Sequence, residues 1–157
     1  MQKPIRGYED IYTIDEKGTI RSIFRRNPIG QHKNRSNRGY VSLDVVLCRG
    51  SKCSHRRISR LLYDAFIGEI PKGMVVDHKD RNPANNSLNN LRLATRAQNA
   101  WNSKKKGVQK HRGRYRARIT VNGKRISLGL YDTEQEAVDA YEKAAKEHHG
   151  EFFNACV

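Results

Sequence analysis

Residues 74–99 read "MVVDHKDRNPANNSLNNLRLATRAQN". They set an acid-base dipeptide, Asp77-His78, at the end of a short apolar run, place Asn90 at the start of the next, and follow with Asn99. A carboxylate and an amide oxygen are hard ligands suited to one Mg²⁺ or Mn²⁺ ion, which keeps positions open for water and phosphate oxygens. A neutral imidazole beside them takes a proton from water, its unperturbed pKa lying near ~6.5. The chemistry these groups suit is hydrolysis of a phosphodiester. His78 activates the attacking water, and the ion stabilises charge on the phosphoryl oxygens and the departing 3′ oxygen. Asn90 is too distant in sequence to be a turn residue for His78, and it is expected to bond across a hairpin and fix the imidazole.

That assignment needs a scaffold, and the stretch supplies one. Val75 and Val76 start a strand, Leu91 and Leu93 alternate in its return, and Thr95 with Gln98 makes a capping-box pattern that starts a helix. A hairpin feeding a helix results. A lone Asp-His dipeptide is ordinarily an exposed turn, and asparagines are ordinary turn residues. Order and spacing together favour the site: acid-base pair, loop, strand-starting Asn, cap, helix Asn.

Upstream, "GYEDIYTIDEKGTIRSIFRR" holds two β-rich runs, Ile11 to Ile14 and Thr19 to Phe24, joined by a turn at Gly18. "NPIGQHKNRSN" reads as a polar loop, "GYVSLDVVLC" as a strand, and "RISRLLYDAFIG" as a helix with Ile58, Leu61, Leu62, Ala65 and Phe66 on one face. Downstream, "GRYRARITV" alternates strictly, Tyr115, Ala117, Ile119 and Val121 against Arg114, Arg116, Arg118 and Thr120. Asn122-Gly123 is a hairpin turn, and the return strand carries Ile126 and Leu128 inward with Arg125 outward. Thr133 and Glu136 cap a helix whose Ala137, Tyr141, Ala144 and Ala145 face the sheet.

Charge points to the partner. The chain has 157 residues, 31 Lys+Arg against 16 Asp+Glu and a formal charge of +15, a balance that attracts polyanions. Residues 17–60 hold twelve basic residues and one acid, and residues 107–130 seven basic residues and none. Double-stranded DNA is the expected partner, bound by a monomer, with Lys104, Lys105, Lys106, Arg112, Arg114, Arg116, Arg118, Lys124 and Arg125 as the contacting residues. RNA binding would explain the charge but leave the site unexplained. Cys48, Cys53 and Cys156 form no even framework, and with no apolar signal segment in view they are expected as reduced thiols of a cytoplasmic protein, in a bacterial or phage-infected cell. A zinc site at Cys48, Cys53 and His55 lacks a second ligand pair.

"DHKDRNPANNSLNNLRLATRAQN" resembles the HNH nuclease motif of homing endonucleases, built on a ββα-metal fold. The resemblance implies His78 as general base, Asn90 as the hairpin-stabilising asparagine, and Asp77 with Asn99 as the ligands of one ion. "GYEDIYTIDEKGTIRSI" is similar to the NUMOD4-type module that often accompanies these nucleases, and "RLLYDAF" to the helix that precedes the motif. "GVQKHRGRYRARITVNGKRISLGLYDTEQEAVDAYEKAAKEHHGEFFN" resembles an AP2 DNA-binding domain. The expected fold is therefore α+β: a NUMOD4-like, β-rich segment over 1–52, a ββα-metal module over 53–103, and a three-stranded antiparallel sheet packed on one helix over 104–157. The implied function is metal-dependent DNA cleavage, most simply nicking, with AP2-like recognition. The alternative is a DNA-binding regulator carrying an inactive nuclease module.

Overall fold

The structure, a computed structural model, describes residues 1–35, 41–102 and 107–153. It divides into two compact units, Met1–Arg96 and Ala97–Val157. No helix among the described residues is long and apolar enough to cross a membrane.

The first unit opens with a three-stranded antiparallel sheet, β1 (Gln2–Pro4), β2 (Tyr12–Asp15) and β3 (Ile20–Ser22). The β2–β3 turn forms because Asp15 Oδ1 accepts from the amides of Lys17 and Thr19, at 3.0 and 2.8 Å. Gly18 takes φ +82° there, and a Cβ at that position would stand 2.8 Å from Ile58 Cγ2. A side chain is therefore excluded twice, by backbone conformation and by the helix packed on the turn.

A second antiparallel sheet follows: β4 (His32–Arg35), β5 (Val41–Arg49) and β6 (Lys52–Arg57). β4 corrects the expectation of a loop over residues 27–37. It has no apolar alternation to announce it; it is an edge strand held by ladder bonds to β5 and by the Asn34 amide, which donates to buried Asp44 at 2.9 Å. The cysteine expectation is also corrected. Cys48 and Cys53 stand directly opposite each other in the β5–β6 register and are joined as a disulfide. A separation of five residues across a tight hairpin makes that pairing geometrically natural, and it escapes a count of cysteines alone.

The chain next enters α1 (Ile58–Leu62), which widens into a π-type turn over Tyr63–Ile67 and ends where Gly68 N donates to Tyr63 O at 2.9 Å. Then come β7 (Val75–His78) and β8 (Leu91–Ala94), a two-stranded antiparallel sheet. One core joins β2, β3, β5, α1 and β8 with the residue after β1: Ile5, Tyr12, Ile14 and Ile20, Val45 and Leu47, Ile58 and Leu62, and Leu91. Residues 1–52 thus share their interior with the hairpin that carries His78. The Tyr12 hydroxyl strengthens this joint, donating to Cys48 O at 3.2 Å and accepting from Cys48 N at 3.3 Å.

The division into units falls after the first residue of α2 (Arg96–Trp101). The second unit then forms an antiparallel sheet in the order β11–β10–β9, from β9 (Val108–His111), β10 (Arg114–Val121) and β11 (Lys124–Tyr131), with α3 (Glu134–His149) packed on it. Asn122 and Gly123 both take positive φ, 50° and 78°, as the two-residue turn requires. Thr133 Oγ1 accepts from Glu136 N at 3.2 Å while Glu136 Oε2 accepts from Thr133 N at 3.1 Å, completing the capping box. Ala117, Ile119, Ala137, Val138 and Ala145 are buried between sheet and helix. Ile126 is not: on the edge strand β11 it stays 42 % exposed, against the inward placement that alternation suggests. Trp101 stacks on His149 with ring centroids 4.4 Å apart. Burial holds the His149 imidazole below its ordinary pKa.

Candidate active site and nucleic-acid interface

The β7–β8 register sets Asp77 opposite Arg92 and His78 opposite Leu91. Successive residues of a strand face opposite ways, so the acid and the base leave the hairpin on different sides. Both are buried, at 4 % and 6 % exposure. Asp77 Oδ2 accepts from Arg92 Nε at 2.9 Å, a directly opposed ion pair with both side chains almost wholly out of solvent. His78 Nε2 lies 3.0 Å from Asn86 Oδ1. With the amide oxygen as acceptor, Nε2 carries the ring proton and Nδ1 the lone pair, so Asn86 sets which nitrogen is basic.

The expectation for Asn90 is corrected in its detail. Asn90 falls one position before β8, at the end of a 3₁₀ turn over Leu88–Asn90, and its side chain bonds across the hairpin to the loop rather than to the imidazole. Its Oδ1 accepts from Asp80 N at 3.1 Å, and its Nδ2 donates to Asp80 Oδ1 at 2.9 Å and to Asn85 O at 2.7 Å. Asp80 is the centre of this loop, accepting also from Asn82 N and Asn85 Nδ2, both at 2.8 Å. Burial alone would raise the Asp80 carboxyl; the bonds from Asn82, Asn85 and Asn90 and the nearby His78 outweigh it and hold the group below the ordinary carboxylate range. The asparagines thus serve as fixed donors and acceptors in a twelve-residue connection, numbered 79–90, that has few apolar residues to order it.

Asn86, Asp80 and Arg92 were not singled out from sequence. Arg92 had a readable signal: it alternates with Leu91 and Leu93, and pairing β7 with β8 puts it beside Asp77. Asn86 had none beyond membership of a crowded loop. If His78 is the base, Asn86 acts through it as a positioning residue, and Asn86→Asp supplies the sharper test. A carboxylate on Nε2 stabilises the imidazolium, so the acid limb of the pH–rate profile should move to higher pH, where the base is again neutral. Asn86→Leu should lower kcat by roughly tenfold to a hundredfold, with KM little changed. Profiles that coincide with the wild type in both variants would remove Asn86 from the site.

Asn99 is exposed on α2 and belongs to the second unit, whereas Asp77 belongs to the first. Among the described residues no three His, Cys, Asp or Glu side chains gather as a metal cluster. The Asp77 carboxylate is a hard ligand of the kind a divalent ion takes, and a single carboxylate would leave most coordination positions to water and phosphate, as Mg²⁺ commonly requires.

In the second unit Arg116, Arg118, Thr120 and Arg125 border a shallow recess with Gly107 and Gln109. None of those three arginines pairs with a carboxylate among the described residues. Arg114 does, its Nε lying 2.8 Å from Asp132 Oδ1, which corrects the expectation of a face without an acid. Arg112 is exposed in the β9–β10 turn at φ +51°, and Lys124 is exposed at the start of β11. Lys104, Lys105, Lys106 and Cys156 lie outside the described residues.

A family profile described as HNH endonuclease matches residues 56–101, taking in β7, β8 and α2. The chain is 40 % identical over 102 residues to the uncharacterized HNH endonuclease L560 of Acanthamoeba polyphaga mimivirus, a match covering 61 % of this chain and 54 % of that protein. It is 36 % identical over 101 residues to protein 3.8 of Escherichia phage T7, covering 58 % of this chain and 83 % of that one. A solved structure described by DNA binding and cleavage by the HNH homing endonuclease I-HmuI shares the fold with a TM-score of 0.52 at 24 % identity, over 94 % of this chain and 82 % of that one. The hairpin with its buried His78, seen with these relatives, defines a nuclease domain of the HNH class. Residues 56–101 carry an HNH endonuclease domain. The chain spans about half the length of the mimivirus relative.

Proposed function

We propose that the protein is a divalent-metal-dependent DNA endonuclease of the homing type that nicks duplex DNA. The observation that carries this reading is His78, buried at the end of β7, bonded through Nε2 to Asn86 and next in the chain to the buried Asp77. In this reading His78 Nδ1 accepts the proton of the attacking water. Asn86 holds the ring and its tautomer, and Asn90 with Asp80 keeps the 79–90 connection in the shape that presents Asn86. Asp77 is the carboxylate ligand, oriented by Arg92. The ion supplies charge stabilisation at the phosphoryl oxygens.

The second unit is the AP2-like reader. Arg116, Arg118 and Arg125 lie around one recess of its sheet without carboxylate partners among the described residues, which suits contacts to phosphates and to the edges of guanine. Supercoiled plasmid is the direct test. The protein with Mg²⁺ or Mn²⁺ should convert it to the open circle, and EDTA should stop the conversion. Cleavage undiminished in EDTA would reject the metal, and intact plasmid with every divalent ion would favour a regulator with an inactive module.

A further inference from the structure

The loop that follows β3 leaves the sheet and returns beside it, tied at both ends. Ile23 N donates to Ile11 O at 3.0 Å, Arg25 N to Ser22 O at 3.2 Å, and Ile29 N to Ile20 O at 2.8 Å. Phe24 N also donates to Ser22 Oγ at 3.2 Å, and Arg21 pairs with Pro28 in a bridge. What this frame holds out is apolar and basic at once. Ile23 is 59 % exposed and Phe24 77 % exposed, while Arg21, Arg25 and Arg26 are exposed nearby. Arg25 and Arg26 continue into a recess completed by Asn27, Pro28, Ile29 and Gly30. No carboxylate among the described residues pairs with any of the three arginines.

One exposed apolar side chain is ordinary on a soluble protein. Two adjacent ones on a loop closed by backbone bonds, next to three guanidinium groups without acidic partners among the described residues, ask for a ligand with an apolar slot between anionic rims. Duplex DNA is such a ligand when a base step opens: the stacked faces are apolar, and the phosphates on either side are anionic. Proteins of unrelated folds use Phe or Ile as wedges at such steps and kink the helix. We propose that the Ile23-Phe24 tip is a DNA wedge, inserted from the minor groove at a deformable base step, with Arg21, Arg25 and Arg26 on the flanking phosphates. This rests on the reading of the protein as one that acts on DNA. It places a kink-forming contact in the same compact unit as His78, separate from the arginine sheet of the second unit. Pyrimidine–purine steps, which unstack readily, should be preferred.

The test uses the His78→Ala protein with both units present, so that the probe stays intact, and short duplexes labelled at both ends for energy transfer, one regular and one pre-kinked by a central bulge. The parent should draw the ends of the regular duplex together and favour the bulged one. Phe24→Ala, at a site too exposed to endanger folding, should abolish the bend and weaken binding to the regular duplex by about tenfold. The loss should be smaller on the bulged duplex, whose distortion is already made. Arg25→Ala with Arg26→Ala should flatten the slope of log affinity against log salt by roughly two units. Phe24→Ala protein that bends and binds DNA like its parent would overturn the wedge. So would a Phe24→Ala defect confined to binding vesicles of phosphatidylglycerol and phosphatidylcholine. If the wild type nicks no plasmid yet its His78→Ala counterpart bends DNA through Phe24, the wedge stands and the nuclease reading fails.

Discussion

His78→Ala should slow DNA cleavage by on the order of 10²–10⁴-fold while leaving DNA affinity nearly unchanged. The imidazole is buried at 6 % exposure, so it offers little surface to a ligand; in the proposed reading its contribution is that of a proton acceptor held at fixed orientation. Removing the ring also leaves Asn86 Oδ1 without its donor, a cost to stability on the order of 1–3 kcal/mol if water does not replace it. The measurement is therefore single-turnover nicking of a labelled duplex, with binding and thermal unfolding followed on the same preparation. A folded variant that cuts at the wild-type rate assigns the base elsewhere. A variant that binds DNA far more weakly would mean that His78 serves the interface and not the reaction.

The same residues show how far sequence reading reaches. His78 and Asp77 were legible because a short apolar strand, a turn-rich interval and an alternating return leave one register for the hairpin, and the register puts the dipeptide at the strand's end. The capping box at Thr133 and the turn at Asn122-Gly123 were legible for the same reason: each is a local device whose geometry its own residues dictate. What local pattern does not encode was lost. β4 is a strand only because β5 lies beside it, and its polar residues give no alternation to read. Cys48 meets Cys53 through strand pairing, and Asp132 reaches Arg114 from beyond β11. Asn86 and Asn90 are chemically identical neighbours in one loop, and only the folded connection decides which amide holds the imidazole and which holds Asp80. The order of residues placed the dipeptide at the hairpin's strand end, while the division of labour among the loop amides is a tertiary property.

Asp77→Asn should abolish cleavage and, with it, the thermal stabilisation that the wild type gains from Mn²⁺ or Mg²⁺. The substitution keeps the shape of the side chain and one oxygen but removes the charge that both an ion and Arg92 require. Because the Asp77–Arg92 pair is nearly excluded from solvent, at 4 % and 11 % side-chain exposure, the variant should also be less stable without metal, by about 3 kcal/mol if the guanidinium finds no new acceptor. Loss of activity alone would therefore be ambiguous, since a weakened hairpin would displace His78 as well. The metal term separates the two causes. A ligand at a hundred times its Kd stabilises the folded state by about 2.7 kcal/mol, a shift that belongs to binding and not to the hairpin's intrinsic stability. Unfolding followed with and without Mn²⁺ should give the wild type a clear upward shift and Asp77→Asn none. Arg92→Met should lower stability yet retain a metal-induced shift, since the carboxylate remains. If Asp77→Asn keeps the full shift, Asp77 is not the ligand, and its carboxylate is buried only to hold Arg92 and lock the two strands in register.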